Sequence, residues 1–343
     1  MDSKSRNIDI DFLKCIGITC IVLAHVSPPV ELFQLRNFDV PLMVIISGLS
    51  YAAFSSARYI SYRRYVFDRF VRLVVPTWIL LIIMYSSGIL SFSLFNVFCS
   101  FTLIGCAGMA LWIIRILFIG AILSPLLYSL NAKAGKEIYF YSILFVAYLF
   151  YSMLLLVPDP ANRYIDKMYD VFILYNIPYL LIYLYGIRFA HFSRGTLKIH
   201  CAIALICFAG FGIYFYLQTG TFIPTQFFKY PPRIYWISYA VFAALAIYLL
   251  ATSEKYRLEK LKYNAMIRFI GSSTLWIYLW HWLFLKIWQK RTGGEAHFLI
   301  TFLFVFSASL IVVYIQRKAL HFLSERYVRR KEWRAYLKRV FTG

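Results

Sequence analysis

Charge is what this sequence lacks. Of 343 residues only 15% are charged and 15 are acidic, while 61% are hydrophobic and the mean hydropathy is +0.67. A soluble domain carries about 25% charged residues, so a surface facing water on all sides is excluded. Disorder is excluded as well, because 32 Phe, 28 Tyr and 8 Trp are far too many aromatics for a solvated coil. The six cysteines (Cys15, Cys20, Cys99, Cys106, Cys201, Cys207) all fall in apolar segments, with no C-x-x-C spacing and no His-rich neighbour. That pattern supports neither a structural metal site nor a disulfide framework, and it reads as small, buried, reduced side chains. Internal repeats and low-complexity linkers are missing too. With Asp2, Asp9 and Asp11 at the start and no A-x-A site after the first apolar run, no cleavable signal is expected.

What the sequence does have is a succession of apolar runs long enough to cross about 30 Å of hydrocarbon. They are continuous, not alternating, which excludes a β-barrel. The reading is an all-α polytopic membrane protein with about ten transmembrane helices. The runs lie near 10–29, 38–57, 73–90, 110–130, 138–157, 171–188, 199–217, 233–251, 267–288 and 297–316. Segment 92–108 is the weakest and is expected to be a short re-entrant or surface-lying piece on the outer side. With Met1 cytoplasmic, roughly three quarters of the 36 Lys and Arg residues fall on the inner side, among them Lys4, Arg6, Arg58, Lys255, Arg257 and Arg329. The net charge of +21 is therefore topology, with anionic lipids and no nucleic acid as the default partner. Both termini are expected to be cytoplasmic in a multi-pass protein of the inner membrane.

A division is expected at residue 318, with a transmembrane domain over 1–318 and a basic amphipathic tail over 319–343. In the tail, Trp333, Tyr336, Leu337, Val340 and Phe341 form an apolar stripe among Arg329, Arg330, Lys331, Arg334, Lys338 and Arg339. Such a helix is suited to lie on the inner leaflet as an anchor.

Polar residues inside apolar runs are the functional candidates, since a charged side chain there costs at least ~2.5–3.5 kcal/mol. His25, in CIVLAHV, and His281, in WIYLWHW, sit at similar depth in the first and ninth crossings. One such histidine is most simply a neutral imidazole bonded to a carbonyl. Two suggest a shared polar cavity, where a neutral imidazole suits general-base work on a hydroxyl. Lys14 precedes His25 by eleven residues, about three turns and roughly 16 Å along a helix, which puts both on one face. Asp11 lies one turn before Lys14, at the cytoplasmic mouth. In the loop Tyr62–Pro76, Arg69 and Arg72 are spaced i, i+3 before the third crossing, and paired guanidinium forks suit phosphate oxygens. Positive-inside sorting accounts for Arg58, Arg63 and Arg64.

Taken together, these motifs resemble the acyltransferase 3 family of integral-membrane acyltransferases. The resemblance rests on Lys14 and His25 in the first helix, and on Phe38, Pro41, Ser47 and Gly48 in FDVPLMVIISG. It rests further on R-x-x-R followed by Leu and Pro (Arg69, Arg72, Leu73, Pro76), and on Trp112 opening a later helix. Pro231–Pro232 before Tyr235 and Trp236, and Gly271, Ser273, Tyr278 and His281, complete the match, which spans residue 8 to about 290. Leu49 stands where an aromatic is usual, and Lys14 is the less common basic choice. The resemblance implies a single polypeptide that moves an acyl group, usually acetyl, from acyl-coenzyme A as co-substrate to a carbohydrate hydroxyl, without a bound cofactor.

Under that reading Lys14, Arg69 and Arg72 bind the donor's anionic end and His25 removes the acceptor's proton. His281 and Ser47 are candidates to orient the acceptor or His25, with Asp11, Trp112, Arg115 and Tyr278 in support. Arg115 is a weak candidate oxyanion donor whose simpler role is an outer-interface snorkeller. The alternatives are a secondary transporter or flippase of a sugar-containing substrate, and a scaffold subunit. A transporter would usually show repeats and broken helices, and a scaffold has no need of His25 together with the arginine pair.

Overall fold

A computed structural model describes residues 7–54, 61–104, 111–157, 168–253, 258–328 and 330–342. Asp2, Lys4, Arg6, Arg58, Cys106, Lys255, Arg257 and Arg329, which entered the sequence reading, lie outside the described residues. Among those described the fold is all-α, with no strand. In chain order the helices are α1 (Ile8–Ala24), α2 (Val30–Leu35), α3 (Asp39–Phe54), α4 (Tyr62–Ser86), α5 (Leu94–Phe101), α6 (Trp112–Lys133) and α7 (Glu137–Leu154). A π-helical turn, Asp170–Leu174, leads into α8 (Ile177–Phe189). There follow α9 (Arg194–Thr219), α10 (Ile234–Ala251), α11 (Ala265–Gly271), α12 (Thr274–Thr292), α13 (Phe298–Tyr327) and α14 (Lys331–Thr342).

The apolar runs fall on these helices. Among the described residues, seven segments are long and apolar enough to cross a membrane: Val30–Ala53, Trp112–Lys133, Glu137–Leu154, Asp170–Phe189, Arg194–Thr219, Ile234–Ala251 and Phe298–Tyr327. This is a multi-pass membrane protein. Three other long helices fall outside that set. Helix α1 has 17 residues, just under the usual span; α4 is charged in its first half and α12 in its last turns. Among the described residues of 92–108 the helix is α5, eight residues long and so about 12 Å, far too short to cross.

Three elements differ from the sequence reading. Tyr62–Pro76 is not a loop: α4 runs unbroken from Tyr62 to Ser86 with Pro76 inside it. Val71, Val74, Leu80, Leu81 and Met84 are buried along this helix, and that packing outweighs the few kcal/mol by which proline disfavours a helix interior. The run 267–288 is not continuous, because Ser272 and Ser273 separate α11 from α12. The helix that holds the last apolar run is longer than the run itself, as α13 extends to Tyr327.

The chain forms two compact units. The first comprises Met1–Arg36, Tyr59–Phe118 and Arg257–Gly343, and so holds α1, α2, α4, α5, the start of α6 and α11 to α14. Within it, α14 packs on α4 and α13. Its apolar stripe faces protein: Val340 is buried, Phe341 stacks on Trp276 at 5.7 Å, and Tyr336 stacks on Phe67 at 6.5 Å. Arg339 pairs with buried Asp68, and Trp276 Nε1 donates to Val340 O at 2.8 Å. Of the apolar tail residues, Trp333 stays exposed.

The second unit comprises Asn37–Arg58 and Ile119–Tyr256. Its tightest seam joins α3 to α8 through two glycines. A Cβ on Gly48 would sit 2.3 Å from Tyr183 O, and one on Gly186 would sit 2.4 Å from Ile45 O. Only glycine permits this backbone approach, the usual device where helices pack without a hydrophobic driving force. Arg188 is buried in the same unit, donating to Gly135 O at 3.0 Å.

Cysteine-accessibility labelling in intact cells and inverted vesicles checks the orientation. Single cysteines at 64, 133 and 334 should react only from the cytoplasmic side, and one at 221 only from outside. Labelling of 133 from outside would overturn the assigned order of crossings.

Candidate active site

Helix α1 is built to end at His25. Asn7 caps its start, its side chain accepting from Asp9 N at 3.0 Å and Ile10 N at 3.2 Å, and Asp9 and Asp11 suit the positive end of the dipole. At the other end Ser27 takes a left-handed conformation (φ 53°) and Pro28–Pro29 prevent continuation. His25 is therefore the C-cap residue, half-buried, with its imidazole at the helix end. The start of α1 lies against α11, where a Cβ on Gly271 would sit 2.0 Å from Asp11 O. Glycine at 271 thus fixes how closely the two backbones approach.

The partner of His25 comes from the middle of α12. His281 is fully buried, and its Nε2 lies 3.3 Å from His25 Nδ1. Ring centroids are 5.1 Å apart. Tyr278, one turn earlier, and Trp282, the next residue, flank the pair at 5.1 Å and 5.3 Å from the His281 ring. Trp282 lies still closer to His25, at 4.6 Å. A neutral imidazole has one donor and one acceptor nitrogen. One proton between the rings therefore fixes which outer nitrogen of His25 carries a lone pair. His281 Nδ1 is buried and has no hydrogen-bond partner among the described residues.

The two arginines lie on α4. Arg69 is half-buried, its guanidinium 4.9 Å from the Tyr65 ring, and Arg72 is exposed. Asp68, buried beside them, is engaged by Arg64 at 3.6 Å and by Arg339. Lys14 is half-buried along α1 and Asp11 is buried. The structure brings His25, His281 and Tyr278 together. Ser47 belongs to the second unit and donates to Met43 O, one turn back, at 2.7 Å. Trp112 is half-buried in the first turn of α6. Arg115 is no exposed snorkeller. It is 3% exposed and donates to Leu103 O at 2.9 Å and Ile104 O at 3.5 Å, tying the segment after α5 to α6. Pro232 is likewise tied in place, its carbonyl accepting from Tyr151 at 2.8 Å. Among the described residues, no three of His, Cys, Asp and Glu gather as a metal site.

With this geometry in view, the comparison with known families becomes decisive. The family model of the acyltransferase domain, acyltransferase 3, matches residues 7–316. The chain belongs to the acyltransferase 3 family. The match takes in the histidine pair and both arginines and stops one residue short of Arg317. No curated protein and no solved structure matches the chain. Membership supports membrane acyltransferase activity.

In this acyltransferase, sequence reasoning missed several polar residues. Arg317 donates to Ser272 Oγ at 2.8 Å and Ser273 Oγ at 2.7 Å, bracing the break between α11 and α12. Gln316 links Trp280 to Phe341 O, at 2.9 Å and 2.8 Å. In the second unit, buried Lys229 donates to Asn37 Oδ1 at 3.1 Å and lies 3.9 Å from Asp39, while Asn37 donates to Thr225 Oγ1 at 3.2 Å. Asn37 and Lys229 are 192 residues apart, and no local spacing rule reaches that far.

Proposed function

We propose that this acyltransferase is an O-acetyltransferase of the cytoplasmic membrane. It moves an acetyl group from cytosolic acetyl-coenzyme A, a co-substrate, to a hydroxyl of a cell-surface or lipid-linked carbohydrate. The observation that carries the reading is the 3.3 Å contact between His25 Nδ1 and His281 Nε2 at the end of α1. An imidazole held by a second imidazole, at a helix end and only half-buried, is a proton acceptor with a fixed orientation. The ten crossings, with both termini cytoplasmic, belong to the same proposal.

The mechanism uses the chain's own groups. His25 donates its Nδ1–H to His281 Nε2, which leaves the Nε2 lone pair of His25 for the acceptor hydroxyl. As the hydroxyl oxygen attacks the thioester carbonyl, His25 takes its proton, and His281 strengthens its hold on the imidazolium that forms. The tetrahedral adduct expels the thiolate, which leaves with that proton. His281 is a positioning residue, and Tyr278 packs it in place. Arg69 and Arg72 bind the donor's phosphates, supported by the access of Arg72 to solvent and by the Tyr65 ring that orients Arg69. Lys14 adds charge lower on α1. The exposed Lys331, Lys338 and Trp333 of α14 suit anionic headgroups and their interface with the acyl chains.

Two measurements follow. In donor titrations of purified protein, Arg69→Ala or Arg72→Ala should weaken acetyl-coenzyme A binding tenfold to a hundredfold, the roughly 1.5–3 kcal/mol of a charge-assisted contact. Arg63→Ala should leave affinity within about twofold, and equal affinity in all three would remove the phosphate clamp. In a glycan acetylation assay, His25→Gln should lose about 10²–10⁴ in rate with donor affinity retained. His281→Gln should fall less, because its amide oxygen still accepts from His25 Nδ1. Near-normal acetylation by His25→Gln would make His25 structural.

A further inference from the structure

Direct acyl transfer places negative charge on the thioester carbonyl oxygen, and the active site needs a hydrogen-bond donor there. The sequence offered only Arg115, whose guanidinium is engaged by the Leu103 and Ile104 carbonyls. The histidine pair itself supplies a donor that no motif called for. Trp282 is 7% exposed, and its Nε1–H has no acceptor among the described residues. A buried N–H left in that state is costly, and buried tryptophans usually find a partner. Trp276, Trp280 and Trp288, on the same helix, all do: they donate to Val340 O, Gln316 Oε1 and Thr301 Oγ1 at 2.8, 2.9 and 3.0 Å. Trp236 Nε1 is also without an acceptor among the described residues, but it belongs to the second unit and no histidine flanks it. Trp282 alone joins an unanswered N–H to a ring 4.6 Å from His25.

We infer that Trp282 Nε1–H is the oxyanion donor, bonding the acetyl carbonyl oxygen of the donor thioester as it becomes tetrahedral. The inference rests on the reading of His25 as the base. In the step, the acceptor O–H bond breaks and its proton passes to His25 Nε2, while the new C–O bond forms. The carbonyl π pair moves to the oxygen that Trp282 holds. Collapse restores the carbonyl and breaks the C–S bond, and the thiolate takes the proton from His25. No oxidant, metal or further reactant is needed. An indole N–H suits this task in a hydrocarbon-walled site, because it donates without carrying a charge that would need an ion partner.

The test uses the full-length protein in inside-out membrane vesicles of its host, which carry the native acceptor, with radiolabelled acetyl-coenzyme A outside. Three proteins are compared with wild type: Trp282→Phe, position 282 bearing benzothienylalanine, and His25→Gln. Benzothienylalanine keeps the shape of indole and replaces N–H by sulfur, so the result does not depend on how Phe packs. Both changes at 282 should slow acetyl transfer about 10- to 100-fold, with donor affinity within threefold. Binding of two unreactive analogues gives a second readout: acetonyl-coenzyme A, in which a methylene precedes the ketone, and its propyl counterpart without a carbonyl. Wild type should prefer the ketone severalfold, and both proteins altered at 282 should lose that preference. If His25→Gln is inactive while both 282 proteins transfer normally, or keep the ketone preference, the role given to Trp282 is wrong and the base stands. If His25→Gln transfers at the wild-type rate, the reading beneath it fails.

Discussion

A polar group in hydrocarbon has no water to fall back on, so it must be answered by another group of the chain. That constraint organises both units of this protein. In the second, Lys229 is met by Asn37 and Asp39, and Arg188 by the Gly135 carbonyl. In the first, Arg115 is met by the Leu103 carbonyl, Arg317 by Ser272 and Ser273, and Asp68 by Arg64 and Arg339. Each contact joins residues that apolar packing alone would leave free to slide. The His25–His281 contact is of the same kind, with one difference: each imidazole carries both a donor and an acceptor nitrogen. A joint that holds α1 against α12 therefore has the groups that the proposed proton transfer needs.

The same economy explains why the helices meet where they do. The Gly48–Gly186 seam and the approach of Gly271 to the Asp11 carbonyl bring backbones together, and packing at that distance sets the orientation of what the helices carry. His25 gains its direction from α1 ending at the Ser27–Pro28–Pro29 stop, and His281 from lying in the middle of a helix braced at its start by Arg317. The family match over residues 7–316 covers both glycine contacts and the histidine pair and leaves out Arg317 and Arg339.

Much of this was legible in the sequence because apolar length and intramembrane polarity are local signals. The helix positions followed from the runs, and two histidines at similar depth pointed to one cluster. What was not legible depends on partners distant in sequence. The segment before Pro76 reads as a charged loop, yet buried Val71 and Val74 carry it into α4. Ser273 reads as part of a motif, but nothing local shows that it and Ser272 part α11 from α12 and receive Arg317. The hydroxyl of Ser47 answers its own helix, a contact that the motif does not show. The tail's apolar stripe reads as a lipid-facing anchor, whereas its contacts with Trp276 and Asp68 turn it toward protein.

The account stands on His281 acting through His25. A double-mutant cycle on acetyl transfer by the full-length protein tests this most directly, using His25→Gln, His281→Leu and the two combined. If His281 only orients the base, the double variant should transfer no more slowly than His25→Gln alone. If the two losses multiply, the histidines act independently, and the 3.3 Å contact between them is not the centre of the chemistry.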